Sequence, residues 1–588
     1  MTKYQILIKI IDTIRTSAPE RYSKLYALDT EDEEHKNQAR ARTFIHLYLK
    51  VSFGLLDFDE REHYITDNTN DGGIDGYYIN RDNKVIYFIQ SKFRNTKTNF
   101  EGKKIELEEI LVMDINRILD GEDKNENGID YNGKIKQLIR EISSIDGIGR
   151  YNYRVILLAN LPTITDAKLK QLTGGFITEI FDYEKCYSNL VFPILSGTYF
   201  NASDLNINID LSNKNAGSKI SYTVQTKKGE CEITVLFVPT IEIGRIMFKY
   251  KNSILKFNPR SYLDFEGKKV NNAIRETIIN TDTNEFALFN NGITMLSDET
   301  YINEKIGQKN KAQLTVKNPQ IINGGQTSFT LSRIYQELLS TNVDEVFQNK
   351  EVLVKIITLL DKNDDINKIE LIEEISTATN QQTPVINADR FSNEKVHVSI
   401  QKVLFDRYGL LYERKRGEFG DGIYNSYIDT SKILERNLFF RNYFAANGSI
   451  ALSRQKKLFL KQKFTEETLT DTEKLDRFYF GYLSFSSLYK KTNPNKQIES
   501  SIAAKVFAFT QLHKPNKIED FENAITENIE RFQNGWSRFI NNIPKTPNSV
   551  KKKKNKQTGV EILKSTFNIT IWYETENFAE QLKSYYKE

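Results

Sequence analysis

The chain has 588 residues and a mass of 68.3 kDa, more than one hydrophobic core can organise, since cores stop growing at about 250 to 300 residues and longer chains divide, here into about three domains. Hydrophobic residues make up 39% and charged residues 27%, a balance that excludes a disordered chain, and no run of about 18 apolar residues offers a membrane span. A net charge of +4 does not mark the whole chain as a nucleic-acid binder, so any basic groove is local, and Cys186 and Cys231 are too few and too far apart for a disulfide or zinc framework, which points to a reducing cytoplasm.

Residues 1–14 pattern as an amphipathic helix, with Lys3, Gln5, Lys9 and Asp12 interrupting what would otherwise be the apolar core of a secretion signal. A second helix is predicted over 31–56, where Phe44, Leu47, Tyr48, Val51 and Leu55 recur near a 3.6-residue spacing. Strands at 76–80 and 85–93 follow, joined by the polar turn Arg81-Asp82-Asn83-Lys84. Helical patterns at 106–120 and 134–144, a strand at 154–159 and a helix at 165–181 complete an α-β-β-α-α-β-α order. That order predicts a mixed sheet covered by helices.

A first domain boundary is placed near residue 200. Over 201–390, strands at 218–225, 232–237, 286–296, 313–317 and 351–359 alternate with helices starting near Gln326 and Ile366, predicting a second, central α/β domain. Residues 391–588 read as a mainly helical region, with amphipathic patterns at 500–512 and 519–532. Within it, the charge run 551–554 with Lys556 reads as an exposed loop, with phosphate contact as the alternative. The fold class expected is α/β multidomain.

The most informative segment is Asp71-Gly72-Gly73-Ile74-Asp75-Gly76, followed by the hairpin that ends in Gln90-Ser91-Lys92. Strand alternation sends Gln90 and Lys92 to the face of Ile86 and Phe88. Antiparallel pairing brings Asp75, at the start of the first strand, to the polar end of the second. An aspartate and an amide oxygen can hold a hard cation that retains waters, and Lys92 can position a water and neutralise charge on a phosphate. The bland alternative makes Asp75 a turn residue and Lys92 a surface lysine.

These elements resemble the PD-(D/E)xK nuclease motif, in the variant of Mrr-like restriction enzymes where glutamine replaces the second acid. The resemblance implies an N-terminal restriction-endonuclease-like domain over 1–200, with Asp75 and Gln90 on Mg²⁺ or Mn²⁺ and Lys92 at the attacking water. Because Gln90 is neutral, a further carboxylate is expected. Glu34 on the preceding helix is the candidate, with Glu60 and Glu62 as rivals.

In the middle domain, Phe289-Asn290-Asn291-Gly292-Ile293-Thr294 and Asn318-Pro319-Gln320-Ile321-Ile322-Asn323-Gly324-Gly325-Gln326-Thr327 stand out. They are joined by Asn380 and Gln381 in 379–385 and by Arg414, Lys415 and Arg416 in 412–418. Together they resemble the AIPR (abortive infection phage resistance) family over about 240–420. Gly324 and Gly325 before a helix could seat an anion on free N–H groups. The amides of Asn290, Asn291, Asn323, Gln326, Asn380 and Gln381 could read bases or sugars, and Arg414, Lys415 and Arg416 could grip phosphates. Equally, the glycines could make a tight turn and the amides could satisfy backbone groups.

The function expected is a phage-defence endonuclease, a Mg²⁺-dependent hydrolase of phosphodiester bonds, whose AIPR region recognises a target or regulates cleavage. The alternative is a non-catalytic sensor of nucleic acid with a degenerate nuclease domain. The expected partners are nucleic acid, DNA ahead of RNA, a second copy in a homodimer, since one such site cuts one strand, and a companion defence protein; no membrane is expected. Five scattered histidines give no Ser-His or Cys-His pairing, and no Walker-type loop indicates an ATP motor.

Overall fold

The computed structural model describes residues 2–26, 32–81, 83–105, 113–162, 165, 167, 169, 173, 175–199, 205–211, 219–227, 229–258, 268–304, 311–360, 371, 372, 374, 375, 378, 395–455, 464–489, 498–554 and 561–587. Contacts divide the chain into two compact units, one of residues 1–390 with 415–430, the other of residues 391–414 with 431–588. Residues 415–430, expected in the C-terminal region, belong to the first unit, and position 200 lies within that unit.

The first unit opens on the helix Lys3–Thr16, started by a capping box between Thr2 and Gln5. A four-stranded sheet follows, made of β1 (Gly76–Asn80), β2 (Val85–Ser91), β3 (Asn152–Leu158) and β4 (Ile177–Ile180), in the order β1-β2-β3-β4. β1 and β2 are antiparallel, while β2, β3 and β4 run parallel. Alternation gives each face its own cover. Tyr77, Ile86, Phe88, Val155 and Leu157 meet Ile135, Leu138, Ile139 and Ile142 of the helix Gly133–Ser143. On the opposite face Tyr78 stacks on Phe53 of the helix Glu33–Phe53 and Tyr87 packs against it at a tilt, and Ile45 of that helix lies so close to Gly76 that an added Cβ would sit 3.1 Å from its Cγ2.

Residues 177–180 were expected to end a helix and instead form β4, because the free edge of β3 offers backbone groups that pair with Ile177–Ile180. Most of 163–174 lies outside the described residues, as does 106–112; of the helix expected over 106–120, residues 113–120 are described and are helical over Ile115–Leu119.

The rest of this unit holds eight more strands among the described residues: β5 (Asn206–Leu211), β6 (Ile220–Thr226), β7 (Gly229–Pro239), β8 (Ile293–Ser297), β9 (Glu299–Asn303), β10 (Ala312–Lys317), β11 (Gln320–Asn323) and β12 (Glu351–Leu359). They make a five-stranded sheet ordered β11-β8-β12-β7-β6 and a three-stranded sheet ordered β5-β10-β9. The helices Thr240–Tyr250 and Gly325–Leu338 pack where Leu236, Val238, Ile243, Ile246, Leu331 and Ile334 are buried together. The strand expected over 286–296 begins only at Ile293; Phe286–Phe289 is a helical turn, and Gly292, with φ +82°, redirects the chain into β8.

The second unit is mainly helical among its described residues, with helices Lys395–Tyr408, Arg436–Ala446, Thr472–Leu488, Ser500–His513, Phe521–Asn542 and Glu576–Lys587. Phe480, Phe509, Phe532, Trp536 and Phe539 dominate one of its cores. Two short parallel strands, β13 (Leu411–Glu413) and β14 (Ile433–Glu435), accompany them. The lysine run expected as a loop is strand β15 (Ser549–Lys554), antiparallel to β16 (Glu561–Thr566). Ladder bonds are made by backbone groups, which lysines carry as fully as other residues. Taken unit by unit, the chain is a mixed α/β multidomain protein. No helix among the described residues is long and apolar enough to cross a membrane.

Candidate metal centre

Because β1 opposes three parallel strands, its start and the ends of β2, β3 and β4 share one edge of the sheet. The carboxyl ends of parallel strands are where open α/β sheets hold ligands. Asp75, one residue before β1, donates its N–H to the Ile89 carbonyl at 2.9 Å, and its Oδ2 accepts from the Ser91 N–H at 2.7 Å. This clasp holds the carboxylate beside Gln90. Gln90 is only 5% exposed, yet its Oε1 meets no hydrogen-bond donor among the described residues. Lys92, exposed, ties its backbone to the end of β3 by donating to the Leu158 carbonyl at 3.1 Å.

The loop ahead of β1 folds back on itself. Thr66 and Asp67 both donate their N–H groups to the Asp75 carbonyl, at 3.0 and 3.2 Å. The Thr66 hydroxyl donates to the Ile74 carbonyl, and Asn132 Nδ2 holds the Thr66 carbonyl at 3.1 Å. Asp71 Oδ1 accepts from the Gly73 N–H at 2.9 Å, in a turn where Gly72 and Gly73 take φ of +64° and +73°, values that only glycine adopts at no steric cost. One oxygen from each of Asp67, Asp71 and Asp75 thereby comes within 4.8 Å of the others.

Electrostatics favour a cation here. Burial, followed by the charges of Asp67 and Asp71, lifts the Asp75 carboxyl to about 7 despite the Ser91 hydrogen bond and the Lys92 charge. Asp71 and Asp67 are raised as well, chiefly by burial. Lys92 faces all three carboxylates as a favourable charge. Three like-charged oxygens drawn out of water, beside a buried amide oxygen lacking a donor, fit a hard divalent cation such as Mg²⁺ or Mn²⁺, which takes oxygen ligands. Asp67, Asp71, Asp75 and Gln90 are the residues that would hold it.

The structure thus brings together Asp75, Gln90 and Lys92, and adds Asp67 and Asp71, which the reading of the sequence missed. Their signal was an aspartate at every fourth position, 67, 71 and 75. Glu34 lies exposed in the first turn of its helix and is not among the converging carboxylates. Glu60 is exposed too. Glu62 is buried and paired with Arg42 at 2.7 Å.

The central motifs meet one another. Gly292 and Gly324 both take positive φ, and a Cβ on Gly324 would lie 2.9 Å from Ile293 Cγ1 and 3.0 Å from the Gly292 carbonyl oxygen. Gly325 opens the helix Gly325–Leu338, where a Cβ would stand 3.0 Å from Asn258 Nδ2. Asn290 spans both motifs, its Oδ1 accepting from the Gly292 N–H at 2.9 Å and its Nδ2 donating to Thr327 Oγ1 at 3.1 Å. Asn323 Oδ1 accepts from the Gly324 N–H at 2.8 Å, and Gln326 Nε2 donates to Asn271 Oδ1 at 3.0 Å. Asn291 is exposed. Asn380 and Gln381 lie outside the described residues. Of the basic run, Lys415 turns inward, 1% exposed, and donates to the Leu255 carbonyl at 3.2 Å, whereas Arg414 and Arg416 are half-buried.

These two motifs fall inside a match to a family model: that of AIPR, described as AIPR protein, spans residues 255–584, more than half of the chain. The chain belongs to the AIPR family. The AIPR match reaches far past residue 420, where the resemblance read from the sequence stopped, and takes in the helical C-terminal part. The carboxylates and Lys92 stand before it, outside the matched residues. No curated protein and no solved structure matches this AIPR protein.

Proposed function

We propose that this AIPR protein is a metal-dependent endonuclease of phage defence, hydrolysing nucleic-acid phosphodiester bonds at the N-terminal sheet edge, with the AIPR region recognising a target or regulating cleavage. Family membership suggests the defence role. The observation that carries the catalytic reading is the meeting of Asp67, Asp71 and Asp75 with the unpartnered Gln90 Oε1 and with Lys92. The antiparallel hairpin continued by parallel strands, with a helix on each face, supports a restriction-endonuclease-like reading of this domain.

A bound Mg²⁺ or Mn²⁺ would polarise a phosphate oxygen and neutralise its charge. The protein's own groups do the rest. Asp75, clasped by the Ile89 and Ser91 backbone, presents an oxygen whose position does not depend on a side-chain partner. Gln90 offers a second oxygen without adding charge. Lys92 supplies a cation that acts on all three carboxylates, placed to orient a water and to stabilise charge that develops on the phosphate. Asp67 and Asp71 provide the negative charge that the neutral Gln90 lacks.

Labelled double-stranded DNA, single-stranded DNA and RNA, incubated with the full chain in Mg²⁺, Mn²⁺ or EDTA, test this. Metal-dependent cutting lost in Asp75→Asn and Lys92→Ala is the expected result, with DNA cut ahead of RNA. Binding without cutting in either metal would reject the enzyme and favour the non-catalytic sensor.

A further inference from the structure

Past the end of β2 a small, open cleft lies between the ends of β2 and β3 and the segment after β4. Its floor is apolar, from Phe44, Phe100, Leu158 and Phe181, while Lys92, Arg94 and Lys103 supply its charge. Among the described residues, no aspartate or glutamate lines it. None of the three cations is in an ion pair among the described residues. Arg94 is anchored through its carbonyl, which accepts from Tyr4 Oη at 3.1 Å. Its Nε is nevertheless buried without an acceptor among the described residues. A buried guanidinium donor left unpaired is costly, and an oxyanion meets that need with a strong, charge-assisted bond.

We propose that this cleft is an anion subsite that receives a backbone phosphate of the nucleic-acid strand, adjacent to the phosphate held at the carboxylates. The inference rests on the nuclease reading above. Lys92 links the two places: it lines the cleft and its charge is felt by Asp67, Asp71 and Asp75. Phosphate contacts fix register without reading sequence, so Arg94 and Lys103 are positioning residues that seat the strand.

Fluorescence anisotropy of a labelled oligonucleotide with the full chain in EDTA, across a salt series, tests this on Arg94→Gln, Lys103→Gln and the milder Arg94→Lys, with calorimetric Mn²⁺ titration of the same proteins as a second arm. Each Gln variant is expected to lose about tenfold in affinity and to lower the salt slope by about one, irrespective of sequence, while Mn²⁺ binding stays at the wild-type level. Arg94→Lys should fall between. Wild-type affinity and slope in both Gln variants overturn the subsite, even where metal binding and cutting are intact. Loss of slope in a protein that neither binds Mn²⁺ nor cuts supports the subsite and removes the nuclease reading. Inorganic phosphate that displaces nothing from the oligonucleotide complex but binds wild type and not Arg94→Gln would assign the cleft to free phosphate and overturn the nucleic-acid assignment.

Discussion

Arg42 Nη1 donates to the Asp67 carbonyl at 2.6 Å, so the loop that carries the acidic cluster rests on a guanidinium buried in the core behind it. The same side chain gives Nη2 to Glu62 Oε1 at 2.7 Å and Nε to Tyr26 Oη at 3.0 Å, and Glu62 Oε2 lies 3.0 Å from His46 Nε2. Arg42→Lys keeps the charge and loses the planar fork that reaches Asp67 and Glu62 together. Calorimetry is expected to show Mn²⁺ affinity lower by about 10 to 100-fold in this variant. Arg42→Met, which strands Glu62, is expected to cost about 3–5 kcal/mol in urea unfolding. Wild-type Mn²⁺ affinity in a folded Arg42→Lys would separate this network from the centre.

The network also makes the domain sensitive to acid. Burial alone would raise the Glu62 carboxyl, but the His46 hydrogen bond and the Arg42 charge hold it at about 2. Burial depresses His46 to about 4. The unfolded chain binds both protons more readily, so stability is lost as pH falls, from about 6.5 towards 4 through His46 and from about 4.5 towards 2 through Glu62. The urea midpoint is expected to drop over this range, and Glu62→Gln should flatten the lower part of the curve.

Asp75 behaves in the opposite sense. Its carboxyl, raised from 3.8 to about 7 by burial and its acidic neighbours, favours the folded state while protonated, a contribution lost as pH rises through about 7. In EDTA the thermal midpoint should therefore fall between pH 5 and pH 8. Added Mn²⁺ should raise it more at pH 8, where the ligand is already ionised. Asp75→Asn is expected to flatten both responses and to lower cleavage at least about a hundredfold.

The glycines of the AIPR motif admit a sharp test of their structural part. Gly324→Ala would hold a side chain at φ +85° and press its Cβ to 2.9 Å from Ile293 Cγ1, at a cost of about 1–3 kcal/mol from the backbone alone. Urea unfolding should show at least that loss. An unchanged midpoint would mean that the Gly292–Gly324 contact yields without strain.

Lys415 and Arg414 should part company. Removing the buried Lys415 ammonium, as in Lys415→Met, leaves the Leu255 carbonyl without that donor and is expected to cost about 1–3 kcal/mol of stability. Arg414→Ala should instead be read out by oligonucleotide affinity, which is expected to fall. The reverse pattern would assign the basic run the other way.

Much of the local structure was legible in the sequence. The polar turn and flanking β-branched runs marked β1 and β2, and the amphipathic spacing marked the helices Glu33–Phe53 and Gly133–Ser143. Misreadings arose where tertiary pairing decided: Ile177–Ile180 is a strand because β3 had an open edge, and β8 starts late because Gly292 packs against Leu353.

By itself the sequence determined the family, carried by short runs such as 323–327, and named Asp75, Gln90 and Lys92, since strand period and hairpin length alone place them at one end of a sheet. Only the tertiary structure decided which carboxylates join them. A loop that folds back by hydrogen bonds from Thr66, Asp67 and Asn132 has no period to read, so the meeting of Asp67 and Asp71 with Asp75, and the absence of Glu34 from it, follow from backbone geometry that composition and spacing do not encode.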